Sequence, residues 1–191
     1  MRKHLYTACI YTAVTAVLLG IVYPLVITGV AQLLFHNNAN GQLIYHDGKL
    51  IGSRIIGQPF TGPTYFHDRP SAAGNGYDAS SSSGSNLAPT NKALIDRVNA
   101  SVATESTGTA VPVDLVTASG SGLDPDITPA AAFYQVPRVA RERKLPEGVV
   151  SNLVREHVAS RQLGLLGEPR VNVLELNMAL DRLSLQATST P

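Results

Sequence analysis

The sequence contains a single cysteine, Cys9, and no tryptophan. One thiol excludes an intramolecular disulfide and any metal site built from several cysteines. A surplus of positive charge is missing too, because 15 Lys and Arg face 14 Asp and Glu. Nucleic-acid binding calls for a basic surface, so we expect no nucleic-acid partner. Charged residues make up 15% of the chain, below the roughly 25% of an ordinary soluble domain.

Charge is wholly missing from one long run. Between Leu5 and Phe35 there is no Asp, Glu, Lys, Arg or His, and a membrane-spanning helix needs only about 20 apolar residues. We therefore predict a transmembrane helix over residues 5–35. The alternative is a cleaved signal peptide ending at Ala31, but the apolar core of such a peptide is usually only about 7–15 residues long.

Basic residues precede this run and are scarce after it. Arg2 and Lys3 lie before it, and the next Lys or Arg is Lys49. By the positive-inside rule, residues 1–4 form a short cytoplasmic N-terminus and residues 36–191 an extracytoplasmic soluble domain. The sequence thus predicts a single-pass protein of the inner or plasma membrane.

Small residues recur every four positions along the predicted span. This spacing lets a second helix approach closely, and lipid offers no hydrophobic drive that could replace such packing. The alternative explanation of this spacing is that small residues are simply common in membrane helices. Pro24 removes a backbone hydrogen bond, so the helix should bend or open there. The predicted helix-packing residues are Ala8, Thr12, Ala16, Gly20, Tyr23, Pro24, Thr28 and Gly29.

The remaining residues combine short strands with helices. Asp47-Gly48 between two short apolar runs predicts a β-hairpin over residues 43–51 with a type I′ turn. Residues 114–116, which follow Pro112, are a further strand candidate. The predicted fold class is one N-terminal transmembrane α-helix followed by an extracytoplasmic α+β or α/β globular domain, with the sheet topology left open.

Four helices are predicted after the hairpin. Residues 90–102 place their apolar side chains on one face, and Thr128 is followed by a proline that opens a second helix. Pro146 opens a third helix, whose apolar stripe extends to Val158. The fourth begins at Asn172, an N-cap residue with a glutamate three positions later.

Residues 67–87 are rich in glycine and serine and have few apolar side chains to bury. A long loop in a compact domain is usually functional or disordered, and a neutral serine tract is typical of a linker. Tyr65, Phe66 and Arg69 flank the tract closely and favour an ordered surface loop instead. The sequence leaves both interpretations open.

No catalytic motif is found in the sequence. The segment from Ser119 to Gly122 lacks the lysine of a phosphate-binding P-loop, and Thr117 stands where a nucleophile elbow needs glycine. The pattern from Asp124 resembles a calcium loop, but Pro129 stands where that loop requires glycine. The five histidines show no metal-ligand spacing. We expect neither a catalytic centre nor a metal site in this chain.

One polar segment, residues 114–125, combines two carboxylates and three hydroxyls with glycines. It could cap helices, bind a cation or present amides to an anion. A turn-rich connection whose side chains bond to their own backbone is the favoured interpretation.

Several segments match one family in the same order along the chain. They include Tyr23-Pro24-Leu25 with Thr28-Gly29, Ile56-Gly57-Gln58, Tyr65-Phe66-His67 with Arg69-Pro70, Ser85-Asn86-Leu87, residues 113–125, Tyr134-Gln135-Val136 with Arg138, and residues 167–177. Over nearly its whole length the chain resembles the C subunit of the Kdp-type potassium-transporting P-type ATPase of bacteria and archaea. That family has a single N-terminal span, in agreement with the predicted anchor.

The resemblance implies a non-catalytic accessory subunit that a high-affinity, ATP-driven potassium uptake complex needs for assembly and stability. Its partners would be a P-type ATP-hydrolysing subunit, a channel-like potassium-binding subunit and a very small membrane subunit, with membrane lipid around the anchor. ATP with Mg²⁺ and K⁺ would act in the complex rather than on this chain. The Asp-Lys-Thr-Gly motif of P-type pumps is absent from the sequence.

The resemblance further implies a catalytic chaperone that raises the ATP affinity of the hydrolysing subunit, with Gln135 as the candidate nucleotide-binding residue. The predicted topology conflicts with that role, because ATP is cytoplasmic. Complex assembly, or a cap over the potassium entrance, is therefore favoured, and a free-standing anchored protein that binds a small ligand or cation is the alternative. The predicted partner or ligand loop residues are Gln58, Tyr65, Phe66, Arg69, Ser85, Asn86, Asp114, Thr117, Ser119, Gly120, Ser121, Gly122, Asp124, Gln135 and Arg138.

Overall fold

The structure, a computed structural model, describes residues 1–188. The chain forms two compact units, the first of which is Met1–Ile51, while the second begins at Gly52.

The first unit begins with one long apolar helix. It consists of α1 (Arg2–Val17), a π-helical turn (Leu18–Val22) and α2 (Tyr23–Leu34). At 33 residues it is long and apolar enough to cross a membrane, and the other described helices do not meet that test. None of its residues is buried in the described chain, as is expected of a helix that faces lipid.

The π-helical turn has an identifiable cause in Pro24. Proline has no N–H to donate to the turn before it, and its ring crowds the carbonyl four residues earlier. The Tyr23 amide instead donates to the Leu18 carbonyl, five residues back, and the ladder widens locally. The prediction that the helix opens near Tyr23 and Pro24 is confirmed.

A short helix and a hairpin follow the long helix. α3 spans His36–Ala39, β1 spans Leu43–His46 and β2 spans Lys49–Ser53. Asp47 and Gly48 both have positive φ, at 49° and 74°, as a type I′ turn requires. The predicted hairpin is confirmed, and its second strand runs two residues further than expected.

The second unit combines four helices with a small sheet. Its strands β3, β5 and β4 form an antiparallel sheet in that order, with Ile127 and Val158 both opposite Val171. An antiparallel sheet of short strands makes the unit α+β rather than α/β among the described residues. The elements are α4 (Lys92–Glu105), a 3₁₀ turn (Val113–Leu115), β3 (Asp126–Ile127), α5 (Pro129–Arg143), α6 (Glu147–Glu156), β4 (Val158–Ala159), β5 (Arg170–Asn172) and α7 (Val173–Thr188).

The core of this unit lies where α5, α6 and α7 meet the sheet. Apolar side chains at helical spacing on the three helices pack against the inward face of β3 and β5. The largest fully buried apolar side chains are Phe66, Ile127, Val139, Val150, Val154, Val171, Val173, Leu176 and Leu180. Phe66 belongs to no helix or strand, so a loop residue contributes to the centre of the core.

The predicted helix starts are confirmed by their caps. The Ala131 amide donates to Thr128 Oγ1 at 3.2 Å, and the Glu175 amide donates to Asn172 Oδ1 at 3.1 Å. These bonds satisfy amides that have no partner within the helix. For α4 the cap is Asn91, one residue after the predicted start.

Two sequence predictions are wrong in detail. The predicted strand at residues 114–116 overlaps the 3₁₀ turn Val113–Leu115 instead, and Asp114 and Leu115 are both buried, so no alternation of faces exists. Val158 does not extend the third helix, which ends at Glu156. It pairs with Val171 in the sheet instead, where its apolar side chain is also half-buried.

Candidate functional site

Residues 62–70, here termed the strap, lie outside the helices and strands but carry much of the polar network. On one side Asn177 of α7 accepts from the Phe66 amide at 2.9 Å and donates to the Phe66 carbonyl at 2.9 Å. On the other side Gln135 of α5 accepts from the His67 amide at 2.7 Å and donates to the His67 carbonyl at 3.1 Å. Each side-chain amide thus donates to and accepts from the backbone of one residue, as a neighbouring β-strand would, and the two residues are consecutive.

Two arginines bind the carbonyls that precede this pair. Arg138 donates to Pro63 O at 2.7 Å and to Tyr65 O at 3.0 Å. Arg143 donates to Thr64 O at 2.8 Å, and its guanidinium lies 4.6 Å from the centre of the Tyr65 ring. Burial lowers the pKa of Arg138, but an arginine stays charged. Residues 63–67 of the strap are therefore each bonded to side chains from α5 or α7.

Gln135 has no free hydrogen-bonding capacity directed at solvent. Besides the His67 backbone, its amide donates to the Ala131 carbonyl at 3.3 Å, and its oxygen accepts from Arg138 at 2.6 Å. The residue is 1% exposed. A ligand could reach this amide only if the bonds to the strap were first broken.

The glycine-serine tract 67–87 is an ordered loop, and it packs against residues 117–124. Ser71 is the main contact: its hydroxyl donates to the Gly122 carbonyl at 2.5 Å and accepts from the Ala73 and Tyr77 amides. Ser82 donates to the Ser121 carbonyl at 3.0 Å. The linker interpretation of this tract is therefore wrong, because hydroxyls within it bond to the backbone of a second loop.

Glycine is required at position 122 of this loop pair. Gly122 has a φ of +66°, and a Cβ there would lie 2.5 Å from the Ser83 carbonyl and 2.7 Å from the Ala73 amide. A side chain would both strain the backbone and separate the two loops.

The charged residues of the loop pair bond to one another and to backbone. Arg69 Nη1 lies 3.2 Å from Asp124 Oδ2, and Asp124 Oδ1 accepts from the Asp126 amide at 3.1 Å. Asp114 accepts from the Thr128 amide at 2.8 Å, next to the start of α5. The Thr117 hydroxyl donates to Val113 O at 2.8 Å. This is the self-satisfying connection that the sequence favoured.

Asp68 is the most perturbed carboxyl group of the site. Burial, with Asp124 and Asp126 nearby, raises its pKa to about 8 from an ordinary 3.8, although Arg69 opposes the shift. Its Oδ1 accepts from the Arg69 amide at 2.8 Å. The group was not among the predicted site residues, and the sequence offers no signal for its burial.

A cleft of about 360 Å³ opens beside Asp68, between α4 and the strap. His67 Nδ1 lies 2.7 Å from Glu105 Oε1 at its edge, and both side chains are mostly buried. Among the described residues, no three His, Cys, Asp or Glu side chains come close enough together to hold a metal ion. The residues lining the cleft are Phe60, Thr61, His67, Asp68, Pro70, Tyr77, Ala100, Ser101, Thr104, Glu105 and Leu115.

The structure brings most predicted loop residues together and separates a few. Tyr65, Phe66, Gln135 and Arg138 meet at the strap, while Arg69, Asp114, Thr117, Ser119, Gly120, Ser121, Gly122 and Asp124 lie in or beside the loop pair. Gln58 lies apart, against Gly52, and a Cβ at Gly52 would overlap its side-chain amide. Ser85 is half-buried and Asn86 is exposed with a φ of 51°.

The predicted helix-packing residues all belong to the first unit. None of them is buried, and a Cβ at Gly20 or Gly29 would meet nothing within 4 Å. The small-residue face is therefore open in the described chain.

The predicted site residues left out two residues that hold the strap, Asn177 and Arg143. Asn177 lies three residues from Leu180 on the buried face of α7. A polar residue at an apolar helical position is a signal that could have been used, because a buried amide must find partners.

Comparison with known proteins places these features in one family. The profile of KdpC, described as the c chain of the K⁺-transporting ATPase, matches residues 5–182. A protein of Acidobacterium capsulatum named potassium-transporting ATPase KdpC subunit is 62% identical over 182 residues, covering 95% of this chain and 99% of its own. Proteins with the same name from Koribacter versatilis and Gemmatimonas aurantiaca are 61% and 56% identical, covering 95% and 99% of this chain and 95% and 96% of their own.

Proposed function

Because the chain belongs to the KdpC family, the c chain of K⁺-transporting ATPases, we propose that it is the subunit that assembles and stabilises the complex without catalysing a reaction itself. As a KdpC subunit it is an accessory part of ATP-driven potassium uptake. Its proposed partners are the P-type ATP-hydrolysing subunit, the channel-like potassium-binding subunit and the very small membrane subunit. ATP with Mg²⁺ and K⁺ are handled by those partners.

One observation carries the assembly role over a ligand-binding role. The polar side chains that mark the family resemblance are used inside the second unit, and Gln135 is the clearest case because it is 1% exposed with four hydrogen bonds. A side chain in this state supports a rigid body that docks as a whole. It is poorly suited to recognise a small molecule that arrives from solvent.

The same geometry bears on the catalytic-chaperone role. We propose that any effect of this subunit on the ATP affinity of the hydrolysing subunit acts through subunit contacts and not through Gln135. A photoreactive azido-ATP added to the purified complex should label the hydrolysing subunit, and excess unlabelled ATP should remove that label. Labelling of a peptide that contains Gln135, if excess unlabelled ATP removes it, would contradict this part of the proposal.

We propose that the long N-terminal helix spans the cell membrane with residues 36–191 outside. Arg2 and Lys3 before the span support this orientation. The single cysteine makes it testable: in a Cys9→Ser background, Thr109→Cys should react with a membrane-impermeant maleimide on intact cells. His4→Cys should react only after the cells are opened. The reverse pattern would place the second unit in the cytoplasm.

The assembly role is tested by purification of the tagged full-length chain, in a mild detergent, from its own host grown under potassium limitation. We expect a P-type ATPase to co-purify and to hydrolyse ATP faster when K⁺ is added. An unrelated single-span protein with the same tag, purified from the same cells, is the control. Recovery of the chain alone, folded and monomeric, would contradict the proposal and favour an anchored protein that binds a small ligand or cation.

A further inference from the structure

The loop that joins β4 to β5 exposes three leucines side by side. Leu163, Leu165 and Leu166 are 91%, 81% and 60% exposed. Residues 160–168, here termed the leucine tip, contain no other large apolar side chain. Other large apolar residues exposed in the second unit, such as Val113, lie singly along the chain. A cluster of this kind marks an interaction surface more often than scattered residues do.

The leucine tip is an ordered loop held by backbone hydrogen bonds. Gln162 and Leu166 exchange both backbone hydrogen bonds at 2.9 Å, and the Gly164 amide donates to Arg161 O at 3.2 Å. Leu163 adopts a φ of 53°, a left-handed backbone conformation that is unfavourable for a leucine. Strain of this kind persists where the arrangement has a use.

The charges around the tip indicate what covers it. Arg161 forms an ion pair with Glu168 across the base of the loop, so its rim is neutral. The tip contains no aromatic residue, and its one basic residue, Arg161, is already paired with Glu168, so it lacks the free basic and aromatic side chains that usually hold a loop at a lipid surface. A rim whose charges are already paired can be enclosed by protein without leaving a lone buried charge. A fixed backbone also lowers the cost of docking into a shaped pocket.

From these observations we propose that the leucine tip is a docking plug that inserts into a neutral, apolar pocket on another subunit of the K⁺-transporting ATPase. This inference rests on the proposed assembly function and adds to it the residues that make one contact. The occupant is protein, and insertion of the tip into lipid or against a second copy of this chain would contradict it.

The first experiment places a photo-crosslinking benzoylphenylalanine at Leu165 of the full-length chain within the purified complex. We expect a crosslink to another subunit. The same residue analogue at Val113, which is also well exposed but isolated, should give at least about tenfold less of that product. A crosslink at Leu165 to lipid, to a second copy of this chain or to nothing would overturn the proposal.

The second experiment measures how fast this subunit leaves the detergent-solubilised complex. The double variant Leu163→Ser with Leu165→Ser should dissociate about tenfold faster or more, whereas Val113→Ser should dissociate at the wild-type rate. Gly164→Ala keeps all three leucines but strains a backbone at φ +74°, so it should also speed release, which lipid insertion would not predict. Unfolding midpoints of the isolated full-length chains should stay within experimental error for both leucine changes, because the side chains removed are exposed.

The outcomes separate this inference from the function on which it rests. If the wild-type chain co-purifies with the complex and the tip variants dissociate at the wild-type rate, the plug is wrong and the assembly role stands. If the wild-type chain does not co-purify, both are overturned.

Discussion

The two units of this chain place their apolar and polar side chains in opposite ways. In the helix that runs from Arg2 to Leu34, apolar side chains are exposed and the backbone is satisfied within the helix. In the unit that begins at Gly52, apolar side chains form the core, and the amides of Gln135 and Asn177 are buried among them. The helix satisfies its backbone hydrogen bonds internally but leaves its apolar side chains exposed. In the second unit, buried side chains supply hydrogen bonds that part of the backbone would otherwise lack.

The difference follows from the solvent that each unit requires. A helix in lipid must satisfy every N–H and C=O internally, and it then gains specific partners only through the shape of its surface. The strap belongs to no helix or strand, so its buried backbone groups have no regular hydrogen-bonding partners. Buried side-chain amides must therefore supply them. Changes to the buried amides of the second unit should therefore act on stability, and changes to the small-residue face of the first unit should act on association.

The largest effect on stability is expected from Asn177→Ala. The change leaves the Phe66 amide and carbonyl without their partners in the core. Two unsatisfied buried groups should lower the free energy of unfolding by about 3 kcal/mol. Urea unfolding of the full-length chain in mild detergent, followed by circular dichroism, measures this change.

The matched control for that change is Asn99→Ala. Asn99 is exposed on α4, so the same deletion of an amide should change the free energy of unfolding by less than about 0.5 kcal/mol. Equal losses in the two variants would show that the strap is not held by Asn177.

A smaller, pH-dependent effect is expected from Asp68. Its folded pKa of about 8 lies above its ordinary 3.8 because the group is buried near Asp124 and Asp126. The folded state therefore keeps a proton that the unfolded state loses, and stability falls as pH rises from about 4 to 8. We expect wild type to lose stability across this range relative to Asp68→Asn, which cannot ionise there.

The control for the pH effect is Asp96→Asn on the exposed face of α4, where Asp96 pairs with Lys92. Its stability should follow the wild-type curve across the same range. A stability curve for Asp68→Asn that runs parallel to wild type between pH 4 and 8 would show that Asp68 titrates normally.

How much of this could be foreseen depends on whether the signal is local. The span, the type I′ turn at Asp47 and the caps at Thr128 and Asn172 were predictable, because each depends on a few neighbouring residues. The 3₁₀ turn at Asp114 was not predictable, because its conformation follows from a bond to the Thr128 amide, 14 residues away. The fate of Val158 likewise depended on a strand partner further along the chain.

The candidate site shows the same division. The sequence marked Gln135, Arg138 and Arg69 because they stand in recognisable motifs, and the structure places the first two on α5 and the third in the strap. Their structural contacts could not be read from it, because every bond of Gln135 to His67 joins residues 68 positions apart. Asp68 is buried by tertiary packing, so no pattern among its neighbours in sequence could predict its burial.

A still smaller effect is expected from Tyr65→Phe. The tyrosine hydroxyl donates to Asp181 at 3.3 Å, while its ring contacts Arg143 and Phe60. Removing only the hydroxyl keeps the ring contacts, so the free energy of unfolding should fall by about 0.5 kcal/mol. The urea experiment used for Asn177→Ala measures it, and a loss above about 2 kcal/mol would mean that the hydroxyl, not the ring, secures the strap.

The smallest effect on stability, and the sharpest test of the contrast between the units, is expected from Ala16→Phe. Ala16 lies on the open small-residue face, so a large ring there should block a neighbouring helix while leaving the second unit unchanged. Val14→Phe is the control, because residues two positions apart point about 200° apart around a helix. We expect Ala16→Phe to reduce co-purification with the ATPase and growth under potassium limitation, with an unchanged urea midpoint, and Val14→Phe to do neither. If Ala16→Phe assembles normally, the small residues are ordinary membrane-helix composition, and assembly must depend on the second unit alone.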